Sequence, residues 1–160
     1  MVSIIRKIIN LFLNQLYYTI DESSKAVILS KQRSLTYITA RKNSKLYIGK
    51  DVIIGVNTRI SCSKEVYIGN YVMIAPNCLI SDTQHNYKFF GRGRRSNSMT
   101  KECSIEEGAW IGFGSVVISS KIGEGSVVGA NSVLINMEIP KRTIFVGDSR
   151  IKYKMKKIKT

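Results

Sequence analysis

Aliphatic residues recur at every sixth position through much of this chain, and few folds are compatible with this period. Between residues 105 and 134 the repeating positions are Ile105, Ile111, Val117, Ile122, Val128 and Leu134, with a single step of five. A half-buried strand repeats every two residues and an amphipathic helix every three or four. A period of six indicates short strands joined by tight corners, so the chain is predicted to wind as a solenoid.

The same period begins earlier and groups into sets of three hexads. The earlier positions are Ile48, Ile54, Ile60, Ile68, Ile74 and Ile80. Four residues after the aliphatic, the first two hexads of each set carry small or β-branched residues, namely Val52, Thr58, Val72, Cys78, Ala109, Ser115, Ser126 and Ser132. The third hexad breaks this rule. Three hexads are therefore predicted to form one triangular coil, with strands stacked about 4.8 Å apart, and insertions are expected at the third corner.

Three segments lie outside this regular pattern. Residues 3–20 place apolar side chains on one helical face, which predicts an amphipathic N-terminal helix within residues 1–22. It is too short and too polar to span a membrane, and it either packs on the solenoid or a neighbouring subunit or lies at a membrane surface. The solenoid domain is predicted over residues 23–140, with a long polar loop inserted at 82–104. Residues 141–160 are predicted to be a crossing segment and a basic tail.

Charge is distributed unevenly along the chain. The formal net charge is +14, and residues 83–101 carry five basic and no acidic residues, while residues 141–160 carry eight basic residues against Asp148. This distribution fits an anionic ligand or a membrane surface, and it equally fits a solvated lysine-rich surface. Nucleic-acid-binding motifs are absent, so no nucleic-acid partner is expected.

The three cysteines show neither metal-ligand spacing nor a disulfide framework, which indicates a reduced, cytoplasmic protein.

Five motifs in order carry a resemblance to a known family. They are I-G-N-Y-V-M-I-A-P-N-C at 68–78, D-x-x-H at 82–85, W-I-G at 110–112, I-G-E-G-S-V-V-G-A-N-S-V at 122–133 and I-P-x-x-T-I-x-x-G at 139–147. With these motifs the chain resembles the hexapeptide-repeat acyltransferases. The resemblance implies an all-β fold, a left-handed parallel β-helix of about four to five triangular coils. It also implies a homotrimer with active sites at the subunit interfaces.

The resemblance assigns roles to four residues around the acceptor. His85 stands where the family has a loop histidine that acts as general base, and imidazole suits proton transfer near neutral pH. Asp82 is expected to orient the imidazole or to contact the acceptor. Asn77 matches an asparagine that binds the acceptor, although asparagine also favours a left-handed corner. Trp110 is either a wall of the acceptor site or a subunit contact.

Acetyl-CoA is the acyl donor that the resemblance implies. Its pantetheine arm is expected along backbone amides and small side chains of the C-terminal coils, at Gly112, Phe113, Gly129, Ala130, Ile135 and Asn136. The phosphates require cations, and Arg150 or Lys152 matches the basic residue of the family. No metal is expected, because zinc-dependent carbonic anhydrase chemistry on this fold needs several histidines per site and the chain has one.

The leading hypothesis is an O-acetyltransferase that moves acetyl from acetyl-CoA to a sugar hydroxyl in bacterial surface-polysaccharide biosynthesis, such as that of capsule or O-antigen. The acceptor is expected to be a sugar or a lipid-linked glycan. Residues 3–20 offer a peripheral contact with the inner face of the membrane. The alternatives are an N-acetyltransferase of an amino-sugar nucleotide, a serine or antibiotic acetyltransferase, and a non-catalytic trimeric scaffold, which the shared motifs do not separate.

Overall fold

The chain winds as a three-sided parallel β-helix. The computed structural model describes residues 16–20, 25–28, 35–85 and 98–158. Within these ranges the chain forms 20 strands and no helix. Each complete coil contributes one strand to each of three faces, and the strands of one face pair in parallel from coil to coil. The predicted solenoid and its all-β class are confirmed.

Three stacks of strands make the faces. The first face contains β2 (Lys25–Ile28), β4 (Lys45–Ile48), β7 (Glu65–Ile68), β12 (Cys103–Ile105), β15 (Lys121–Ile122) and β18 (Glu138–Ile139). The second face contains β5 (Ile53–Ile54), β8 (Met73–Ile74), β13 (Trp110–Ile111), β16 (Val127–Val128) and β19 (Thr143–Asp148). The third face contains β1 (Leu16–Ile20), β3 (Thr36–Ala40), β6 (Thr58–Cys62), β9 (Leu79–Ser81), β14 (Val116–Ile118) and β17 (Val133–Ile135). The first, second and third corners follow the first, second and third faces.

The aliphatic residue of every hexad points into the solenoid. All twelve predicted hexad positions are buried, and those of one face stack directly on each other from coil to coil. On the second face Phe145 continues the column below Val128 and is fully buried. Full burial of such a side chain stabilises the fold by about 1.5–3 kcal/mol, so the columns hold the coils together.

Buried hydroxyl groups tie each coil to the next. Ser126 Oγ donates a hydrogen bond to the Pro140 carbonyl oxygen at 2.8 Å and accepts one from the Thr143 amide at 3.0 Å. Ser115 Oγ likewise donates to the Gly129 carbonyl oxygen at 3.0 Å. A serine fits here because it is small and satisfies backbone groups that the corner leaves unpaired. This explains the small residues predicted at the inward corner positions.

The second corner requires left-handed backbone. Asn57, Asn77, Gly114 and Asn131 have φ angles of 57°, 60°, 69° and 54°. Asparagine and glycine adopt this conformation at the lowest cost. At Gly114 a Cβ atom would also require the side-chain oxygen of Asn131 to move.

Both ends of the chain differ from the sequence-based prediction. Leu16–Ile20 is strand β1, paired with β3, so the predicted helix over 3–20 is wrong for these residues, and residues 1–15 lie outside the described part. Tyr17, Tyr18 and Thr19 favour a strand once a neighbouring strand is available. At the other end β20 (Lys152–Lys157) pairs antiparallel with β19, so the predicted basic tail is an ordered edge strand. Among the described residues, none belongs to a helix that could cross a membrane.

Candidate active site

The long insertion leaves the solenoid at the third corner, as predicted. Its two ends form a short antiparallel hairpin, β10 (Thr83–His85) with β11 (Ser98–Thr100). His85 ends β10 opposite Ser98, is exposed, and is the only histidine in the chain. The general-base candidate therefore stands on a strand outside the solenoid.

The hairpin lies along the third corner towards the C-terminal coils. Ser119 Oγ, one coil further on, donates a hydrogen bond to the Asp82 carbonyl oxygen at 3.2 Å. Asn136 Nδ2, two coils further on, donates to Gln84 Oε1 at 3.3 Å. The residue before His85 thus touches Asn136, which was predicted to contact acetyl-CoA. Sequence reasoning missed Gln84 and Ser119, because no pattern in the sequence shows over which coils the hairpin lies.

The side chain of Asp82 points into the solenoid. It is fully buried, and its carboxylate accepts hydrogen bonds from the amides of Ser63 at 2.9 Å, Lys64 at 2.5 Å and Glu65 at 2.8 Å. Thr83 Oγ1 donates to the same carboxylate at 2.9 Å. The expectation that Asp82 orients the imidazole or contacts the acceptor is corrected, because its oxygens bind the backbone and are not exposed. The two extra residues between Ile60 and Ile68 were the sequence signal for this corner.

The second corner holds Asn77 and four of the predicted cofactor residues. Asn77 is exposed, and Asn57 Nδ2 donates to its side-chain oxygen at 2.7 Å. The backbone of each coil bonds to the next here, Gly114 to Pro76 at 3.0 Å and Asn131 to Phe113 at 2.7 Å. Along this corner, one and two coils beyond Asn77, lie Gly112, Phe113, Gly129 and Ala130.

The third face separates the two groups of predicted site residues. Asn77 and the glycine-rich positions lie at its second-corner edge, while Ile135, Asn136 and the His85 hairpin lie at its third-corner edge. The outward side chains between these edges are partly exposed and apolar, namely Leu79, Val116, Ile118, Val133 and Ile135. This arrangement forms an apolar surface bounded by polar corners.

Trp110 lies on a different face from His85. Its side chain is 47% exposed on the second face. Trp110 is paired with Met73 of the preceding coil, which is 44% exposed. The outward column on this face is apolar in every coil, with Ile53, Met73, Trp110, Val127 and Ile144. Within one chain the structure does not bring Trp110 to the corner that carries His85.

The two candidate phosphate contacts differ in their surroundings. Arg150 pairs with Asp148 through Nε–Oδ1 at 3.0 Å and Nη2–Oδ2 at 2.6 Å. The hydrogen bonds from Arg150 lower the pKa of the Asp148 carboxyl to about 2. Lys152 is exposed on β20, and among the described residues it forms no ion pair. Nor do three His, Cys, Asp or Glu side chains of this part of the chain converge as a metal site.

The fold is similar to several solved acyltransferase structures. A hexapeptide-repeat-containing acetyltransferase from Vibrio cholerae is 25% identical, with a TM-score of 0.71 over 87% of this chain and 77% of that one. AntD, an N-acyltransferase from Bacillus cereus, is 16% identical, with a TM-score of 0.65 over 97% of this chain and 89% of AntD. The polySia-specific acetyltransferase NeuO is 23% identical, with a TM-score of 0.64 over 90% of this chain and 62% of NeuO.

These similarities define the fold of the protein. No protein-family model matches the chain, and no curated protein matches it significantly. The triangular coils, the hexads and the similar structures together show the left-handed parallel β-helix of the hexapeptide-repeat acyltransferases. The chain has that fold over all of its complete coils, and the hairpin with His85 emerges from it.

Proposed function

We propose that this protein is an acetyl-CoA-dependent acetyltransferase whose acceptor is a sugar hydroxyl of a bacterial surface polysaccharide or its precursor. The observation that carries the proposal is the exposed His85, which ends a hairpin strand whose preceding residue, Gln84, is hydrogen-bonded to Asn136 of a C-terminal coil. The similar Vibrio cholerae acetyltransferase was solved with acetyl coenzyme A, and NeuO is polySia-specific. The first similarity supports an acetyl donor, and the second supports a glycan acceptor.

The proposed chemistry is direct acetyl transfer. His85 removes the proton of the acceptor hydroxyl while the oxygen attacks the carbonyl carbon of the thioester. The new C–O bond forms, the C–S bond breaks, and the imidazolium returns its proton to the departing thiolate of coenzyme A. A positioned general base contributes about a hundredfold to ten-thousandfold to such a reaction. The side chain of His85 is exposed.

The proposed coenzyme site lies along the second corner. Gly112 and Gly129 let successive coils pack closely at this corner, and the exposed Ala130 carries only a methyl group, so a pantetheine arm can approach the backbone there. Lys152 supplies a cation for the phosphates, since Arg150 is already paired with Asp148.

We propose that the apolar column of the second face is a subunit contact in a homotrimer. Exposed apolar patches of this kind mark interaction sites, and the column includes Ile53, which is 63% exposed, together with Met73 and Trp110. A neighbouring subunit would then bring a second face near the His85 hairpin. This assembly gives Trp110 a role at the interface and places it beside a site that its own chain does not reach.

An amino-sugar nucleotide is the second candidate acceptor. AntD, which has a similar fold, was solved with dTDP-4-amino-4,6-dideoxyglucose and coenzyme A. The same base would serve, because an amine attacks a thioester and loses a proton just as a hydroxyl does.

We propose that the reaction takes place in the cytoplasm or at the inner face of the membrane, where both acetyl-CoA and lipid-linked glycans are present.

The deciding experiment is thiol release from acetyl-CoA by the purified full chain over a panel of sugars, nucleotide sugars, amino-sugar nucleotides, serine and chloramphenicol. We expect acceptor-dependent release that falls about a hundredfold or more in His85→Ala. Arg41→Ala, at an exposed corner of an N-terminal coil, should match the wild type. No release with any acceptor, together with no acetyl-CoA binding by calorimetry, would reject the transferase and favour the non-catalytic scaffold.

A further inference from the structure

We propose that Asp82 is the positioning residue of the His85 hairpin. Its buried carboxylate ties the start of the hairpin to the preceding third corner and so determines where the imidazole stands. The catalytic consequence rests on the proposed function, whereas the anchoring itself does not. Asp82 would therefore act on the reaction through His85, without touching either substrate.

The preceding third corner needs an acceptor that its own residues do not supply. The chain takes two extra residues between Ile60 and Ile68, and the amides of Ser63, Lys64 and Glu65 converge there. Successive amides that converge form an anion-binding concavity. Asp82 fills it, so the irregular corner and the hairpin stabilise each other.

A carboxylate suits this position better than any other side chain of its size. The three amides and the Thr83 hydroxyl are all donors, and an ionised carboxylate only accepts hydrogen bonds. Hydrogen bonds to an ionised acceptor are also shorter and stronger than those between neutral groups. An asparagine would direct its NH₂ group at an amide N–H. Asp82→Asn therefore keeps the shape of the side chain but replaces one hydrogen-bond acceptor by a donor.

The backbone of Asp82 holds the hairpin at both of its ends. The Asp82 carbonyl oxygen accepts hydrogen bonds from the Lys101 amide at 2.9 Å and from Ser119 Oγ at 3.2 Å. The first and last parts of the insertion therefore meet at this residue, against the following coil. Because the side chain bonds to one coil and the carbonyl group to the next, Asp82 has little freedom to rotate.

His85 is three residues further along a strand, about 10 Å from this anchor at the usual rise per residue. A small rotation at the anchor is therefore enlarged at the imidazole. A displacement of about 1 Å at a reacting group can reduce the rate about a hundredfold. We expect loss of the anchor to lower kcat without weakening acetyl-CoA binding.

The test compares Asp82→Asn with Ser126→Ala, a control that removes a buried hydroxyl with two backbone partners in a C-terminal coil. Hydrogen exchange should accelerate at least tenfold at the amides of residues 63–65 in Asp82→Asn only. Diethylpyrocarbonate modification, followed by the ultraviolet absorbance of carbethoxylated imidazole, reports His85 because the chain has one histidine, and its rate should change at least twofold in Asp82→Asn only. In the same variant kcat should fall about ten- to a hundredfold, with the KM for acetyl-CoA within about twofold of the wild type.

The outcomes separate the anchor from the proposed function. If the wild type transfers no acetyl group, the exchange and modification rates still decide whether Asp82 positions the hairpin. Unchanged exchange at 63–65, or a fall in kcat matched by Ser126→Ala, would overturn the proposal. Should Asp82→Asn fail to fold, Thr83→Val removes one donor to the carboxylate and should lower kcat about two- to fivefold. A Thr83→Val enzyme with unchanged kcat and His85 modification rate would then overturn it.

Discussion

Asn136 donates a hydrogen bond of 3.3 Å to the side chain of Gln84, although the two residues are 52 positions apart in the chain. The contact joins the hairpin that carries His85 to a coil that forms only after the insertion has returned. The position of His85 therefore depends on how the coils stack, and local strand propensity does not determine it. Several consequences can be measured.

The contact between Gln84 and Asn136 should support catalysis modestly. Gln84→Ala removes one hydrogen bond, so we expect kcat to fall about three- to tenfold, in line with a net contribution of about 1 kcal/mol. The melting temperature should hardly change, because the contact is exposed. Lys101→Ala is the control, since its bond to Asp82 uses the backbone amide and survives the change. Equal kcat values for Gln84→Ala and the wild type would show that the contact does not position the hairpin.

The phosphate groups of acetyl-CoA should depend on Lys152 more than on Arg150. Lys152→Ala should raise the KM for acetyl-CoA about fivefold, the equivalent of about 1 kcal/mol for an exposed charge contact. Arg150→Ala should raise it less, because the guanidinium already bonds to Asp148. Steady-state kinetics at low salt and at high salt test this, since screening should remove the difference. A larger effect of Arg150→Ala would reverse the assignment.

Stability should fall in alkaline solution because of the buried thiols. Burial raises the pKa of Cys103 from 9.0 to about 12 and also raises the pKa values of Cys62 and Cys78. Well below pH 9 the Cys103 thiol is protonated in both the folded and the unfolded chain and does not affect the free energy of unfolding. Above it the unfolded chain loses this proton first, so the free energy of unfolding decreases as the pH rises towards 12.

Urea denaturation of the wild type and of Cys103→Ala between pH 8 and pH 11 would measure this effect. Lysine and tyrosine side chains titrate in the same range in both proteins, so the difference between the two slopes reports Cys103. The wild type should lose stability more steeply. Parallel slopes would show that the thiol ionises in the folded chain as readily as in the unfolded one.

The apolar column of the second face should control assembly. Trp110→Lys places a charge in its centre and should convert the trimer to monomers in sedimentation velocity, because desolvating an unpaired charge opposes association. Ile151→Lys, at a side chain that is 86% exposed outside the column, should leave assembly unchanged. Trp110 is the only tryptophan, so in the wild type its emission should shift to longer wavelength when dilution dissociates the assembly. A wild type that sediments as a monomer would contradict the proposed trimer.

The coils themselves were predictable from the sequence because their signals are local. One coil requires an inward aliphatic residue every six residues and a small residue at each inward corner. The sequence shows both, and every such position is buried in the structure. The third corner was predictable as the place of insertions for the same reason. The strand at Leu16–Ile20 was not, because its apolar residues also match a helical face and only pairing with β3 selects the strand.

The sequence alone predicted the solenoid, its coils of three hexads and the corner at which the segment with the single histidine leaves, since a short repeat specifies both its own strand and its stacking on an identical neighbour. Only the tertiary structure decided which way Asp82 points and that Trp110 and His85 lie on different faces. These features depend on the register between coils and on irregular corners. Residues that are far apart in the chain are in contact there, so the periodicity of the sequence does not predict these contacts.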